Sequence, residues 1–272
     1  MGKDLTISKL IVENFFEKLS NALEVDVAIA GCGPSALTLS LELSKKGYKV
    51  AIFEAKNEPG GGIWGGGMMF NEVVLESELE GYLKELGIRF KKFDEFIVTD
   101  SVHLASALLY HTTLAGTMIF NNVFVEDLVM YDRRVSGVVI NWTPTLKEKL
   151  HVDPISVVSK FTVDGTGHSA NLVKLLSKRG IISSIGGSTE ASYNFGIVGY
   201  EFPMDAENGE RFVVENTREI YPGLYIVGMA AVSVGAGPRM GPIFGGMIMS
   251  GLRAAELISN ELRKMGGSDD ER

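Results

Sequence analysis

The sequence predicts an α/β fold, a parallel sheet flanked by helices with an inserted β-rich segment, and three observations predict it. The run Val25-Asp26-Val27-Ala28-Ile29-Ala30 is apolar and β-branched enough for a strand buried on both faces. Gly31-Cys32-Gly33-Pro34-Ser35-Ala36 follows at once, and a helical pattern then runs from about Ser35 to Lys46 with Gly47 as its stop. Tyr48-Lys49-Val50-Ala51-Ile52-Phe53 reads as a second strand, closing on Glu54. Strand, Gly-x-Gly-x-x-Ala turn, helix, strand and acid in that order make one unit suited to a dinucleotide.

Each part of that unit has a physical task. Gly31 permits the tight turn, Gly33 lets backbone approach a pyrophosphate, and Ala36 lets helix and strand pack closely. Ser35 stands at the helix N-terminus, where free N–H groups and the positive dipole end favour phosphate. Glu54 lies 21 residues after Gly33, the spacing at which a carboxylate meets ribose hydroxyls.

The remaining elements follow in chain order. Ile7, Leu10, Ile11, Phe15, Leu19 and Leu23 recur at helical spacing over 5–23, predicting an amphipathic helix packed on the nucleotide unit or on a neighbouring subunit. Beyond Glu54, the glycine run at 60–67 has little side-chain bulk and is flanked by Trp64, Met68, Met69 and Phe70, so it reads as a ligand-facing loop containing Gly62. Helices are predicted at 74–86 and 102–116, and strands at 89–93, 117–120, 122–128 and 134–140, the last entered through the turn Tyr131-Asp132-Arg133. Residues 141–155 break the pattern, and Pro154 biases Asp153 away from helix. A strand at 156–163 runs into Asp164-Gly165-Thr166-Gly167-His168, followed by a helix at 169–179. Residues 182–222 carry no clear pattern. Leu224-Tyr225-Ile226-Val227 is a last buried strand closing on Gly228-Met229. A Gly- and Pro-rich loop spans 235–246, a final helix 247–264, and a frayed polar tail 266–272. The whole chain, 1–272, reads as one nucleotide-binding catalytic domain.

Composition narrows the function. With 45% hydrophobic residues in 272, a sizeable core is possible, and a net charge of −8 disfavours a nucleic-acid partner. No apolar run reaches the length of a membrane span and no leader pattern opens the chain, so neither membrane nor export is expected. The lone cysteine, Cys32, excludes an intramolecular disulfide and any multi-cysteine metal site, which makes the reducing cytoplasm the expected setting.

The motifs taken together resemble one family. The Gly31–Ala36 turn, the glycine run with Trp64 and Met68, Leu150-His151-Val152-Asp153-Pro154, Thr166-Gly167-His168 and Arg239-Met240-Gly241-Pro242 followed by Phe244-Gly245 are similar to those of the thiamine thiazole synthases, over almost the whole chain. The resemblance implies a glutathione-reductase-like, Rossmann-type dinucleotide-binding fold. It implies that NAD is a substrate: nicotinamide is lost, the ADP-ribose part isomerises to a ketose and condenses with glycine, sulfur enters, and dehydration gives an ADP-linked thiazole carboxylate. It further implies Fe(II) held by Asp153 and His168, NAD contacts from Ala55, Val125, His151, Val152, Asp153 and Met229, glycine held by Arg239 with Met240 near it, and a homo-octamer whose sites are shared between subunits. His151, Asp153 and His168 are the expected catalytic group.

Residue chemistry refines those implications. Many members of the family spend a cysteine of their own as sulfur donor. Here that position is His151, and imidazole has no sulfur, so the chain resembles the sulfide-using, multi-turnover branch. His151 is left with three possible tasks: hydrogen-bond donor, general acid/base, or spacer. An imidazole with a carboxylate suits Fe(II), but also Zn(II), Mn(II) or Co(II), so iron is taken from the resemblance. Arg239 suits glycine, because a guanidinium fork pairs with a carboxylate through two parallel hydrogen bonds. Two rival readings are an FAD-dependent oxidoreductase of the same fold and a non-catalytic NAD-binding regulatory subunit. Flavoproteins of this fold usually close the last strand on Gly-Asp, and at Gly228-Met229 a thioether cannot replace that carboxylate, which favours an NAD-sized ligand.

Overall fold

The computed structural model describes residues 2–182 and 201–267. In chain order they form α1 (Lys3–Ala22), β1 (Glu24–Ala30), α2 (Pro34–Lys45), β2 (Val50–Glu54), β3 (Glu72–Glu76), α3 (Glu80–Glu85), β4 (Lys91–Phe93), β5 (Phe96–Asp100), α4 (Ser101–Leu114), β6 (Met118–Asn121), β7 (Val123–Tyr131), β8 (Arg134–Trp142), α5 (Thr143–Lys147), β9 (Ile155–Asp164), α6 (Asn171–Lys178), α7 (Ala206–Glu215), β10 (Arg218–Tyr221), β11 (Leu224–Ile226), α8 (Met229–Gly235) and α9 (Gly245–Gly267).

The main sheet runs β10-β11-β9-β1-β2-β6, and from β11 to β6 its neighbours are parallel. Its centre is apolar for the reason the sequence suggests. Val27 to Ala30 and all of β2 are buried, since α2, α4 and α9 cover one face while β7, β8 and the end of α1 cover the other. The α2 helix is buried along nearly its whole length because it packs against both α4 and α9. Two hairpins enter the sheet from the side. β7 pairs with β8, and β8 lies antiparallel to the first half of β9, from Ile155 to Val158, while β11 takes the second half, from Thr162 to Asp164. The β7–β8 turn places Asp132 and Arg133 at φ 48° and 59°, the left-handed pair that matches strand twist. A smaller antiparallel sheet, β3-β5-β4, stands apart. Asp100 joins it to α4 by accepting the His103 N–H at 2.7 Å.

Some expectations are corrected. The helix expected over 74–86 begins instead as β3, and helical turns start only at Ser77. Val73 and Leu75 are buried while their neighbours are not, a period of two that five residues cannot distinguish from a helix edge. β5, α7, α8 and β10 had no counterpart in the sequence reading. The expected frayed tail is helical through Gly267, and the remainder of it, like 183–200 within the unread 182–222 stretch, lies outside the described residues. No helix among the described residues is long and apolar enough to cross a membrane.

Candidate active site

The turns after β1, β2, β9 and β11 meet at the carboxyl end of the parallel sheet, where β1 sends the chain one way to β2 and has β9 on its other side. A crevice opens at such a point in parallel sheets. Here it is a cleft of about 910 Å³, within the range of ligand sites and roomy enough for a dinucleotide.

One wall is the glycine turn. Gly31 adopts φ +87°, and a Cβ there would stand 2.5 Å from the Gly165 carbonyl oxygen, so the fold itself demands glycine. Gly33 differs. It has ordinary backbone angles, and a Cβ would meet nothing within 4 Å. The protein's own packing does not require glycine at that position, so the space is left to whatever the cleft receives. Gly33 is also the N-cap of α2, and no side chain caps that end, so its first N–H groups remain for a ligand. Gly62, in the second glycine loop, is likewise open. The two loops are tied together by the Gly60 N–H, which donates to the Cys32 carbonyl at 2.7 Å.

Glu54 is buried, and its two carboxylate oxygens accept the backbone N–H groups of Cys32 (2.7 Å) and Lys56 (2.8 Å). It therefore fixes the turn as well as lining the cleft. Each oxygen keeps a second lone pair for a hydroxyl. Ser35 is buried beneath Gly228, whose φ of +60° and ψ of −140° suit glycine alone; a Cβ would lie 2.5 Å from Ser35 Oγ. Ala55, Val125 and Met229 also line the cleft. The β7–β8 register shifts between Val125 and Asp127, so the ladder is broken beside Val125. Cys32 is buried, and burial followed by the Glu54 charge pushes its thiol pKa up, which keeps the sulfur protonated and inert.

The same cleft is lined by His168 and Arg239. Asp164 shapes the turn that holds His168, its buried carboxylate accepting the Thr166 N–H and hydroxyl and the Leu172 and Val173 N–H groups. The His168 carbonyl accepts the Ser233 hydroxyl at 2.9 Å, which fastens that turn to α8. Arg239 and Met240 lie on a segment paired with 202–205: the Asp205 N–H donates to the Arg239 carbonyl at 2.9 Å and the Phe202 N–H to that of Gly237 at 2.9 Å. That pairing brings in Glu201, which the sequence reading missed. Its Oε1 is 2.5 Å from His168 Nδ1 and its Oε2 is 3.6 Å from Arg239 Nε.

The expected metal pair is not assembled within one chain. His168 lines the cleft, whereas His151, Val152 and Asp153 are exposed and do not. Asp153 instead borders a small hollow of about 40 Å³ with Leu19, Phe120 and Trp142. No group of three or more His, Cys, Asp or Glu among the described residues could hold a metal. His168 alone has the form of a ligand, since an imidazole whose Nδ1 is held by a carboxylate presents Nε2.

A family model described as the Thi4 family matches residues 8–244. The chain belongs to the Thi4 family. Among relatives, the thiamine thiazole synthase of Fervidobacterium nodosum is 75% identical over 268 residues, covering 98% of this chain and 97% of that one. The thiamine thiazole synthase of Thermotoga maritima is 57% identical over 261 residues, with 96% and 99% covered. The solved structure of Thermovibrio ammonificans THI4 is 39% identical and superposes with a TM-score of 0.87, over 97% of this chain and 99% of that one. A geranylgeranyl bacteriochlorophyll reductase-like protein of Thermoplasma acidophilum, at 15% identity and a TM-score of 0.55 over 89% and 79%, shares the fold alone with this family member.

Proposed function

We propose that this family member makes the thiazole moiety of thiamine, converting NAD, glycine and free sulfide to an ADP-linked thiazole carboxylate with release of nicotinamide. The observation that carries the reading is that one cleft is lined both by a dinucleotide turn, at Gly31, Gly33 and Glu54, and by His168 and Arg239. The parallel sheet with its side-entering hairpins supports a glutathione-reductase-like form of the dinucleotide-binding fold.

In this reading the ADP half of NAD lies over the N-terminus of α2, with its pyrophosphate in the space beside Gly33 and Ser35 and its ribose at Glu54. The backbone near Val125 meets adenine, while Ala55, Gly62 and Met229 close around the nucleotide. The ADP handle stays bound while the distal ribose reacts, so each intermediate is held near the same groups and the entropic cost of bringing them together falls. Arg239 holds glycine by its carboxylate. His168, with Asp153 of a second copy, would hold Fe(II), which would supply Lewis-acid chemistry when bound. The chain's own residues fit that ion only halfway, because Asp153 is exposed and outside the cleft. The reading therefore takes His151, Val152 and Asp153 from a neighbouring copy, within the homo-octamer that the family resemblance implies. Sulfur comes from solution, since His151 has none and Cys32 is buried and protonated.

Anaerobic incubation with NAD, glycine, sulfide and Fe(II), followed by mass analysis, tests the scheme. The expected result is many equivalents of adduct per chain, lost when any component is omitted, and retained in Cys32→Ala. One equivalent per chain without added sulfide would refute the sulfide-using assignment, and no adduct with all components present would refute the function.

A further inference from the structure

Glu201 is the one group in contact with both His168 and Arg239 among the described residues. Its side chain is 11% exposed, whereas those of His168 and Arg239 are 60% and 65% exposed. A mostly covered carboxylate thus stands between two open side chains that line the cleft. We propose that Glu201 is a positioning residue that sets the imidazole of His168 and the guanidinium of Arg239 at a fixed separation, so that a metal ion on one and a carboxylate ligand on the other meet. This rests on the functional reading above.

The chemistry of the three groups supports it. A carboxylate accepting from Nδ1–H fixes the histidine tautomer, leaves the Nε2 lone pair for a ligand, and makes that nitrogen a stronger donor. On the arginine, the contact is at Nε and at 3.6 Å, a charge pairing longer than a hydrogen bond. Among the described residues the two Nη groups have no hydrogen-bond partner, so this edge of the fork remains for an incoming carboxylate. Negative charge on Glu201 also lowers the cost of bringing two cationic centres, a metal ion and a guanidinium, to one wall. The backbone supplies rigidity: Glu201 immediately precedes Phe202, which is bridged to Pro238, and the Arg239 N–H donates to the Phe202 carbonyl at 3.3 Å. Glu201 is therefore placed by the same pairing that places Arg239.

The test compares wild type with Glu201→Ala, Glu201→Gln and Glu201→Asp as full-length assemblies. Co(II) affinity of the metal-free protein is read from its visible absorption, NAD affinity from fluorescence quenching, and glycine KM and kcat from turnover. The expected result for Glu201→Ala is a loss of Co(II) affinity of about 10- to 100-fold together with a raised glycine KM, at unchanged NAD affinity. Glu201→Gln, which still accepts from Nδ1–H, keeps more Co(II) affinity than Glu201→Ala but raises the glycine KM as far, and Glu201→Asp rescues part of both. Co(II) binding in wild type that is equally tight in Glu201→Ala would overturn the inference alone. Absence of Co(II) binding in wild type would overturn the metal reading and this inference with it. Joint loss of NAD affinity in all three variants would make Glu201 a folding residue and overturn its positioning role.

Discussion

At the scale of the residue, the two glycines of the first turn separate architecture from binding. Gly31 is held at φ +87° against the Gly165 carbonyl, so Gly31→Ala meets both a strained backbone and a clash. Strain of that type costs about 1–3 kcal/mol, and the 2.5 Å approach adds to it. Gly33→Ala has neither penalty, because its backbone is ordinary and its Cβ would enter open space. Urea unfolding of the two variants should therefore show a stability loss for Gly31→Ala and nearly none for Gly33→Ala. NAD titration should show the converse for Gly33→Ala, a folded protein with weakened binding, since the methyl occupies the space assigned to pyrophosphate. Unaltered NAD affinity in Gly33→Ala would mean that the nucleotide lies elsewhere in the cleft.

At the scale of the element, a carboxyl pair joins α7 and β3 to the start of α9. Glu210 on α7 accepts the Gly246 N–H at the start of α9 and faces Glu76 at the end of β3. Each residue has one buried oxygen without a donor. Burial, then the Glu76 contact, hold the Glu210 carboxyl above its usual range, and a proton kept on Glu210 gives the contact a donor. The sign follows by linkage. The folded chain keeps this proton where the unfolded chain has lost it, so the pair's contribution is complete below the ordinary glutamate pKa and is lost as pH rises through the raised folded value. Glu210→Gln keeps an amide donor for Glu76 and an acceptor for Gly246. It should be more stable than wild type at neutral pH, with an advantage growing by up to about 1.4 kcal/mol per pH unit until the folded pKa is passed. Denaturant curves at several pH values check this, and parallel pH profiles for the two proteins would refute the proton on Glu210.

The same scale shows what the sequence could reveal. The β1–α2–β2 unit was legible because its period, its glycines and its terminal acid are local signals that agree. α8 was not, because Ala230 to Val234 are all buried and a helix without a polar face has no period to read. α7 left a signal that was passed over: Asp205 caps it by accepting the Asn208 N–H, with Glu207 in its first turn. Glu201 left no such trace. Its partners lie 33 residues before it and 38 after it in the chain, and they meet through the pairing of 202–205 with 237–239 and the tie of the His168 turn to α8.

At the scale of the whole molecule, one chain leaves a broad apolar surface uncovered. On α1 only Leu19 and Ala22 are buried, while Leu5, Ile7, Leu10, Ile11, Val12 and Phe16 are exposed. Trp142, Leu146, Leu150 and Val152 are exposed on the segment that also carries His151 and Asp153. Apolar surface of this extent marks an association face. Leu19 of α1, Trp142 and Asp153 border the same hollow, so the apolar face and the proposed ligand Asp153 lie together. Association through that side is how the proposed assembly would deliver Asp153 to a neighbour's His168. Mixing tests it directly. Asp153→Ala and His168→Ala chains should each be inactive alone, and chains co-assembled in equal amounts should recover about a quarter of wild-type sites, as random pairing of a site built from two subunits requires. Charging α1 with Ile7→Glu and Ile11→Glu should dissociate the assembly in sedimentation and abolish activity together, while the separated chains bind NAD more weakly than the assembly. Failure of the mixed assembly to recover any activity would remove Asp153 from the shared site and leave His168, Glu201 and Arg239 to act within a single chain.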